Sequence, residues 1–297
     1  MQERMPAVDA WIWIDGELLP ASEARVPVLD RGFLYGDSIF EVTRTAQRRP
    51  LFFAEHLARL EQSARLLAMT LPDRDALVMA CRAVVDQFAE SECYLRLIVT
   101  RGSGPLDLDP AVADAPRLVV LGKSLRLPEP ALYERGVALA TVTPADCGVR
   151  MLPAAKSSNY LPSVMALHLA RKRQAYEALL CDAEGAITEG ASSNFFIVRA
   201  GVLMTPPLSL GLLSGITRAV VLRMAQQHGI PTREARFTAE DAERADEAFL
   251  TSSVRGLVPV TRLNDQPLGP GQPGPITQQL LSAYAACLAD GGSWSVS

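Results

Sequence analysis

The 297-residue chain has no surplus of basic charge: 29 lysines and arginines face 33 acidic residues, for a net charge of −4. Without a basic stripe to follow a phosphate backbone, nucleic acid is not an expected partner. Cysteine is scarce and unpatterned, with Cys81, Cys93, Cys147, Cys181 and Cys287 scattered and no C-x-x-C pair among them. An odd, dispersed set fits a reducing compartment better than a disulfide framework, so a cytoplasmic location is expected. Long apolar runs are missing as well. The charge-free stretch 200–217 is interrupted by Gly201, Pro206, Pro207, Gly211 and Gly215, which predicts strand, loop and helix start in place of a spanning helix. Met1-Gln2-Glu3-Arg4 begins no apolar segment, so neither a secretory signal nor membrane association is expected.

Other absences narrow the chemistry. His56, His168 and His228 are too dispersed for a metal cluster, and no G-x-S-x-G elbow is present, so neither a metal site nor a serine-hydrolase triad is expected. Gly122-Lys123-Ser124 resembles the tail of a Walker A loop, but Arg117 stands where that loop needs glycine. Gly102-Ser103-Gly104 lacks the third glycine of a dinucleotide fingerprint.

What is present is a globular composition, 48% hydrophobic and 21% charged, at a length that suits two domains. Asp15-Gly16 inside the alternating run Trp11 to Leu19 predicts an opening β-hairpin. Leu57, Leu60, Ala64 and Leu67 form the stripe of an amphipathic helix from Phe53, with His56, Arg59 and Arg65 on its polar face. Residues 94–100 and 117–121 read as strands. Pro128 and Pro130 mark a linker, which divides the chain into an N-terminal α/β domain (1–122), a linker (123–131) and a C-terminal domain (132–297). Beyond it the pattern predicts a strand at 137–142, a helix at 159–176, and two hairpins around Asp182-Ala183-Glu184-Gly185 and Arg199-Ala200-Gly201. A helix over 216–227 stops before Gly229, and Thr238-Ala239-Glu240-Asp241 approaches a capping box. The fold class is mixed α+β.

Lys156, in Lys156-Ser157-Ser158-Asn159-Tyr160, is the one lysine between residues 124 and 171. Its apolar approach, Leu152-Pro153-Ala154-Ala155, would desolvate the amine and favour nucleophilic use. Glu189 follows at the end of a strand-like run, with Ser192-Ser193-Asn194 to brace the loop. A lysine able to hold an aldehyde and a carboxylate able to keep a pyridine nitrogen protonated point together to pyridoxal 5'-phosphate. An anion would suit Ser214-Gly215-Ile216-Thr217-Arg218, where backbone N–H groups and hydroxyls open a helix. Thr251-Ser252-Ser253 adds a second hydroxyl cluster, and Arg59 a permanent charge.

Taken in order, these blocks resemble the class IV, fold-type IV family of pyridoxal-phosphate enzymes: branched-chain aminotransferases, D-amino-acid aminotransferases and 4-amino-4-deoxychorismate lyases. The resemblance runs from Asp30-Arg31-Gly32 and Ser38-Ile39-Phe40-Glu41 through His56-Leu57-Ala58-Arg59-Leu60, Thr100-Arg101-Gly102 and Lys156 to Tyr160. It continues through Thr188-Glu189-Gly190, Gly215-Ile216-Thr217-Arg218 and Thr251-Ser252-Ser253 to Pro259-Val260. It implies a small N-terminal α/β domain, a larger C-terminal domain, a cofactor in the cleft between them, and a homodimer whose loops complete each other's sites. It makes Lys156 the Schiff-base lysine and proton shuttle, and Glu189 the partner of the pyridine nitrogen. Phosphate falls to Arg59, Ile216 (by its backbone N–H), Thr217, and Ser252 or Ser253. Asn194 joins the cofactor set, as does Tyr160, one position early for the tyrosine that meets the cofactor's phenolic oxygen in branched-chain enzymes.

Tyr94-Leu95-Arg96 resembles the branched-chain Tyr-x-Arg element, and Arg44 also has a counterpart there; Tyr35, Phe40, Arg44, Tyr94 and Arg96 are the implied substrate set. The two-residue gap from Lys156 to Asn159 matches the D-amino-acid and lyase branches instead. Leu106 and Leu108 stand where D-enzymes carry a carboxylate-binding Arg-x-His. The expected activity is amino transfer between an amino acid and a 2-oxo acid. A 4-amino-4-deoxychorismate lyase is the alternative, with a D-amino-acid aminotransferase behind it.

Overall fold

The computed structural model describes residues 10–88, 92–113, 115–147 and 155–289. The apolar approach Leu152-Pro153-Ala154 and the N-terminal Met1 to Arg4 lie outside the described residues. The chain divides into two compact units, the first comprising 1–126, 155–159 and 288–297, the second 127–154 and 160–287.

In the first unit, β1 (Ala10–Ile14) and β2 (Glu17–Pro20) form the opening hairpin. Asp15 and Gly16 both take positive φ, 50° and 96°, the turn whose twist matches paired strands. After the short helix α1 (Arg31–Tyr35) come β3 (Ser38–Ala46), β4 (Arg49–Pro50), β5 (Cys93–Thr100) and β6 (Arg117–Ser124), in an all-antiparallel sheet of order β2-β1-β6-β5-β3-β4. Because side chains alternate along a strand, Ile39, Leu95, Leu97 and Val120 face one side. There they pack with Leu57, Leu60, Leu77 and Val84 of α2 (Phe53–Leu66) and α3 (Arg74–Val85) into one core. Phe40, Arg44, Tyr94 and Arg96 fall on the opposite side, with Arg44 directly across from Tyr94. The segment 155–159 joins this sheet at β3, through a bridge between Ile39 and Ser157.

The second unit adds helices α4 (Pro130–Arg135), α5 (Pro144–Cys147), α6 (Leu161–Lys172), α7 (Ile216–Gln227), α8 (Ala239–Glu243) and α9 (Pro275–Ala289), the last ending in the first unit. Its strands are β7 (Val137–Val142), β8 (Glu177–Cys181), β9 (Ile187–Gly190), β10 (Asn194–Arg199), β11 (Val202–Thr205), β12 (Thr232–Glu234), β13 (Glu247–Ser252), β14 (Gly256–Leu263) and β15 (Gln266–Pro267). The sheet runs β12-β11-β10-β13-β14-β7-β8-β9, with β15 paired to β14. Three parallel pairings make it mixed: β7 with β8, joined through α5 and α6; β11 with β12, joined through α7; and β14 with β7. Strands β8 and β10, each flanked by a strand on both sides, are buried on both faces. On one side Leu139, Leu179, Phe195 and Leu250 share a core; on the other, Ala166 and Ala170 of α6 pack against Ala140 and Ala178.

Three expectations need correction. Helix α6 covers 161–172 only, because Pro162 has no N–H to donate and suits the first turn, and the chain leaves the helix at Arg173. Strand β6 continues through Ser124, paired with Cys93 on β5. His56 and Arg59, placed on a polar face by periodicity, are 1% and 7% exposed, and a carboxylate buried beside them accounts for this.

Candidate active site

Lys156 is held by its backbone as an added edge on β3. Its carbonyl accepts from Phe40 N at 2.9 Å, its N–H donates to Ser63 Oγ at 3.2 Å, and Ser158 N donates to Ser38 O at 3.0 Å. Nζ lies 4.5 Å from the Phe40 ring centroid, and the Arg96 guanidinium lies 4.0 Å from the same ring. The Arg96 guanidinium gains from the negative ring face. Phe40, Arg96 and Lys156 are thus brought together. The Nε atoms of Arg44 and Arg96 are buried and make no hydrogen bond. Tyr94 meets Lys123 Nζ at 5.1 Å from its ring centroid, and Tyr35 meets the Arg31 guanidinium at 5.0 Å.

On α2, His56, Arg59 and Ser63 fall at spacings of three and four and so share one face. Arg59 donates from Nε and Nη2 to the two oxygens of Glu41 at 2.8 and 2.7 Å, and His56 Nδ1 sits 2.6 Å from Glu41 Oε2. Burial alone would raise the Glu41 carboxyl, but the Arg59 charge and the hydrogen bonds of Arg59 and His56 outweigh it and bring it down to about 2. Burial pushes the His56 imidazole below its ordinary value; Glu41 opposes that, while Arg59 and Lys156 add to it. A carboxylate only accepts, so the proton on neutral His56 belongs on Nδ1.

In the second unit Glu189 is the penultimate residue of β9, and its Oε2 accepts from Leu213 N at 3.1 Å and from Asn194 Nδ2 at 3.3 Å. Asn194 also donates to Leu213 O at 2.9 Å, so one amide holds both the carboxylate and the loop before α7. Gly215 is the N-cap of that helix with no side-chain cap, and a Cβ there would collide with Asn194 Oδ1. Ile216 and Thr217 are the first helical residues. Thr217 Oγ1 is buried without a hydrogen-bond partner, as is Thr251 Oγ1 beside Ser252 at the end of β13. Ser253 lies in the following turn, and Tyr160 precedes α6, its carbonyl accepting from Val164 N at 2.9 Å. A helix start with unused N–H groups and orphaned hydroxyls is a ready anion cradle, so these residues fit a phosphate.

Sequence reasoning gave no role to Glu41, His56, Leu213, Glu177 or Arg255. The first two stand inside quoted motifs, and a buried arginine demands a carboxylate, so Arg59 was the clue to Glu41. Leu213 acts through its N–H, which no side-chain pattern reveals.

A family model for amino-transferase class IV matches residues 38–263. The chain belongs to the class IV aminotransferases. This class IV aminotransferase is 36% identical over 281 residues to a putative branched-chain-amino-acid aminotransferase of Methanocaldococcus jannaschii, covering 92% of this chain and 94% of the relative. It is 32% identical to a D-alanine aminotransferase of Bacillus licheniformis, covering 92% and 95%. Its fold is similar to that of a T.th. branched-chain amino acid aminotransferase complexed with N-(5'-phosphopyridoxyl)-L-glutamate, with TM-score 0.86, 30% identity, and coverage of 97% and 96%. These names support amino transfer and give no support to the lyase alternative.

Proposed function

We propose that this pyridoxal-5'-phosphate-dependent transaminase moves an amino group between an amino acid and a 2-oxo acid with Lys156 as its base, and that the substrate presents a carboxylate to Arg44 and Arg96. When bound, the cofactor supplies an aldehyde that exchanges amino groups and a ring that accepts electrons. Lys156 Nζ would move a proton between the substrate α-carbon and the cofactor's aldehyde carbon. Glu189, fixed by Leu213 and Asn194, would accept a hydrogen bond from the protonated ring nitrogen of the cofactor. Ile216 N, Thr217, Ser252 or Ser253, and Arg59 would hold the phosphate, with Tyr160 also in the cofactor-binding set. Tyr35, Phe40 and Tyr94 shape the pocket for the rest of the substrate.

The observation that carries the cofactor assignment is Thr217, a buried hydroxyl without a partner at the uncapped start of α7. For the substrate it is the pair of buried, unpartnered Nε atoms on Arg44 and Arg96, since a guanidinium out of water calls for an acceptor such as carboxylate. The chain acts as a homodimer, a reading supported by the exposed Val28, Phe33, Leu106 and Leu108 of the first unit, and in the cytoplasm, a reading supported by its odd, unpatterned cysteines. A panel of L- and D-amino acids with 2-oxoglutarate as acceptor tests the activity. Transfer with one enantiomer series is expected; no transfer to any acceptor overturns the reading.

A further inference from the structure

Arg255 lies in the turn between β13 and β14 and takes part in neither strand. Its side chain is 19% exposed, yet it makes four polar contacts. Nη1 donates to Glu177 Oε2 at 2.6 Å and to Tyr176 Oη at 3.4 Å, Nη2 to Ser192 Oγ at 3.0 Å, and Nε to Ser252 Oγ at 3.2 Å. The other Glu177 oxygen accepts from Ser192 N, Ser192 Oγ and Ser193 Oγ at 2.8, 3.1 and 2.8 Å. One ion pair therefore ties the start of β8 to the Ser192-Ser193 loop that leads into Asn194 and to the end of β13. Burial disfavours the Arg255 charge, but Glu177 more than offsets it and the pKa rises.

The direction of these bonds is what matters. A guanidinium only donates, so each hydroxyl it touches is forced to accept. Ser192 accepts from Arg255 and passes its own proton to Glu177. Ser252 also accepts from Arg255, but no acceptor for its own proton is present among the described residues. We propose that Arg255 is a positioning residue that, anchored on Glu177, locks the Ser252 hydroxyl as a donor aimed at the cofactor's phosphate. This rests on the reading that Ser252 holds that phosphate. Glu177 cancels the Arg255 charge, so the contribution is one of orientation. Lysine would keep the charge but could not reach Glu177, Ser192 and Ser252 at once from a single nitrogen.

The test compares binding of pyridoxal 5'-phosphate with that of pyridoxal, which lacks the phosphate, to the cofactor-free full-length protein by equilibrium dialysis. Arg255→Lys and Ser252→Ala are each expected to weaken pyridoxal-phosphate binding roughly tenfold, the worth of one charge-assisted hydrogen bond, and to leave pyridoxal binding level. Because one residue acts through the other, the double variant should lose about tenfold rather than about a hundredfold. Additive losses, equal losses for both ligands, or no loss in Arg255→Lys would overturn the inference alone. A wild-type protein that holds pyridoxal as tightly as its phosphate would overturn the phosphate reading beneath it. Should Arg255→Lys fail to fold, Glu177→Gln carries the same comparison: its amide oxygen can still serve the serines while its NH2 faces, and so repels, the guanidinium.

Discussion

Glu41 shows how a single residue connects fold and chemistry. It sits next to Phe40 on β3, so strand alternation turns it away from the Phe40, Arg96 and Lys156 side and toward α2, where it meets His56 and Arg59. A buried arginine without this partner would be an uncompensated charge, and removing one member of such a pair costs about 3–5 kcal/mol. The pH dependence follows from the depressed carboxyl. Its folded pKa of about 2 lies below the ordinary value of 4.5, so its contribution is complete above pH 4.5 and is lost as pH falls toward 2. That shift corresponds to stability on the order of 3 kcal/mol. Denaturant melts of wild type and Glu41→Gln at several pH values check this: the variant is expected to be weaker at pH 7 and to show a flatter loss between pH 4.5 and 2. A variant that loses stability in parallel with wild type across that window would show that Glu41 is not the titrating group.

At the scale of elements, helix α7 holds the clearest link between secondary structure and binding. Its start lacks a side-chain cap and keeps the Thr217 hydroxyl buried and unpartnered. An orphaned buried hydroxyl is a liability in the cofactor-free protein and an asset once an anion arrives. Thr217→Val, similar in shape, should therefore leave the cofactor-free stability level or raise it by up to about 1 kcal/mol, and weaken pyridoxal-phosphate binding roughly tenfold. Thermal melts and cofactor titration of the same sample separate the two effects; a variant less stable without cofactor and unchanged in affinity would refute the assignment. Gly215→Ala addresses the same joint from the other side. Its methyl would displace Asn194, and a loss of about 1–3 kcal/mol in melting free energy is expected; unchanged stability would mean that Asn194 has room to move.

Much of this was legible from periodicity and turn chemistry. The Asp15-Gly16 hairpin, the α2 stripe, the span of α7 and the Thr238 to Asp241 capping box all appear as their residues predict. Helix α9 leaves little signal in the sequence because Pro275–Ala289 carries no charge, so its few polar residues contrast only weakly with the apolar ones. Helix α3 has its stripe at Leu77, Ala80, Cys81 and Val84, but exposed Val78 and Met79 blur it. Within the candidate site, side chains with motif character were visible, whereas Leu213 serves through its backbone and Arg255 through contacts far apart in sequence. Neither leaves a local pattern.

For the whole molecule, the exposed apolar residues of the first unit matter most. Val28, Phe33, Leu106 and Leu108 are 69–76% exposed, and two hydrogen bonds from Arg31 to the carbonyls of Asp107 and Leu108 hold that loop against α1. Large apolar side chains left in water at this density favour a covered interface. Light scattering is expected to give a mass near twice 32.1 kDa for wild type and a shift toward the monomer for Phe33→Glu with Leu108→Glu. A monomeric wild type would contradict the homodimer.

Whether Lys156 carries the cofactor is directly testable because the chain is short of lysine: Lys123, Lys156 and Lys172 are all it has. Borohydride reduction of the pyridoxal-phosphate-loaded protein, followed by peptide mass mapping, fixes the cofactor to whichever amine holds it. The expected result is a single pyridoxyl adduct on the peptide containing Lys156, absent in Lys156→Ala. An adduct on Lys123 or Lys172, or no stable adduct at saturating cofactor, would contradict the account.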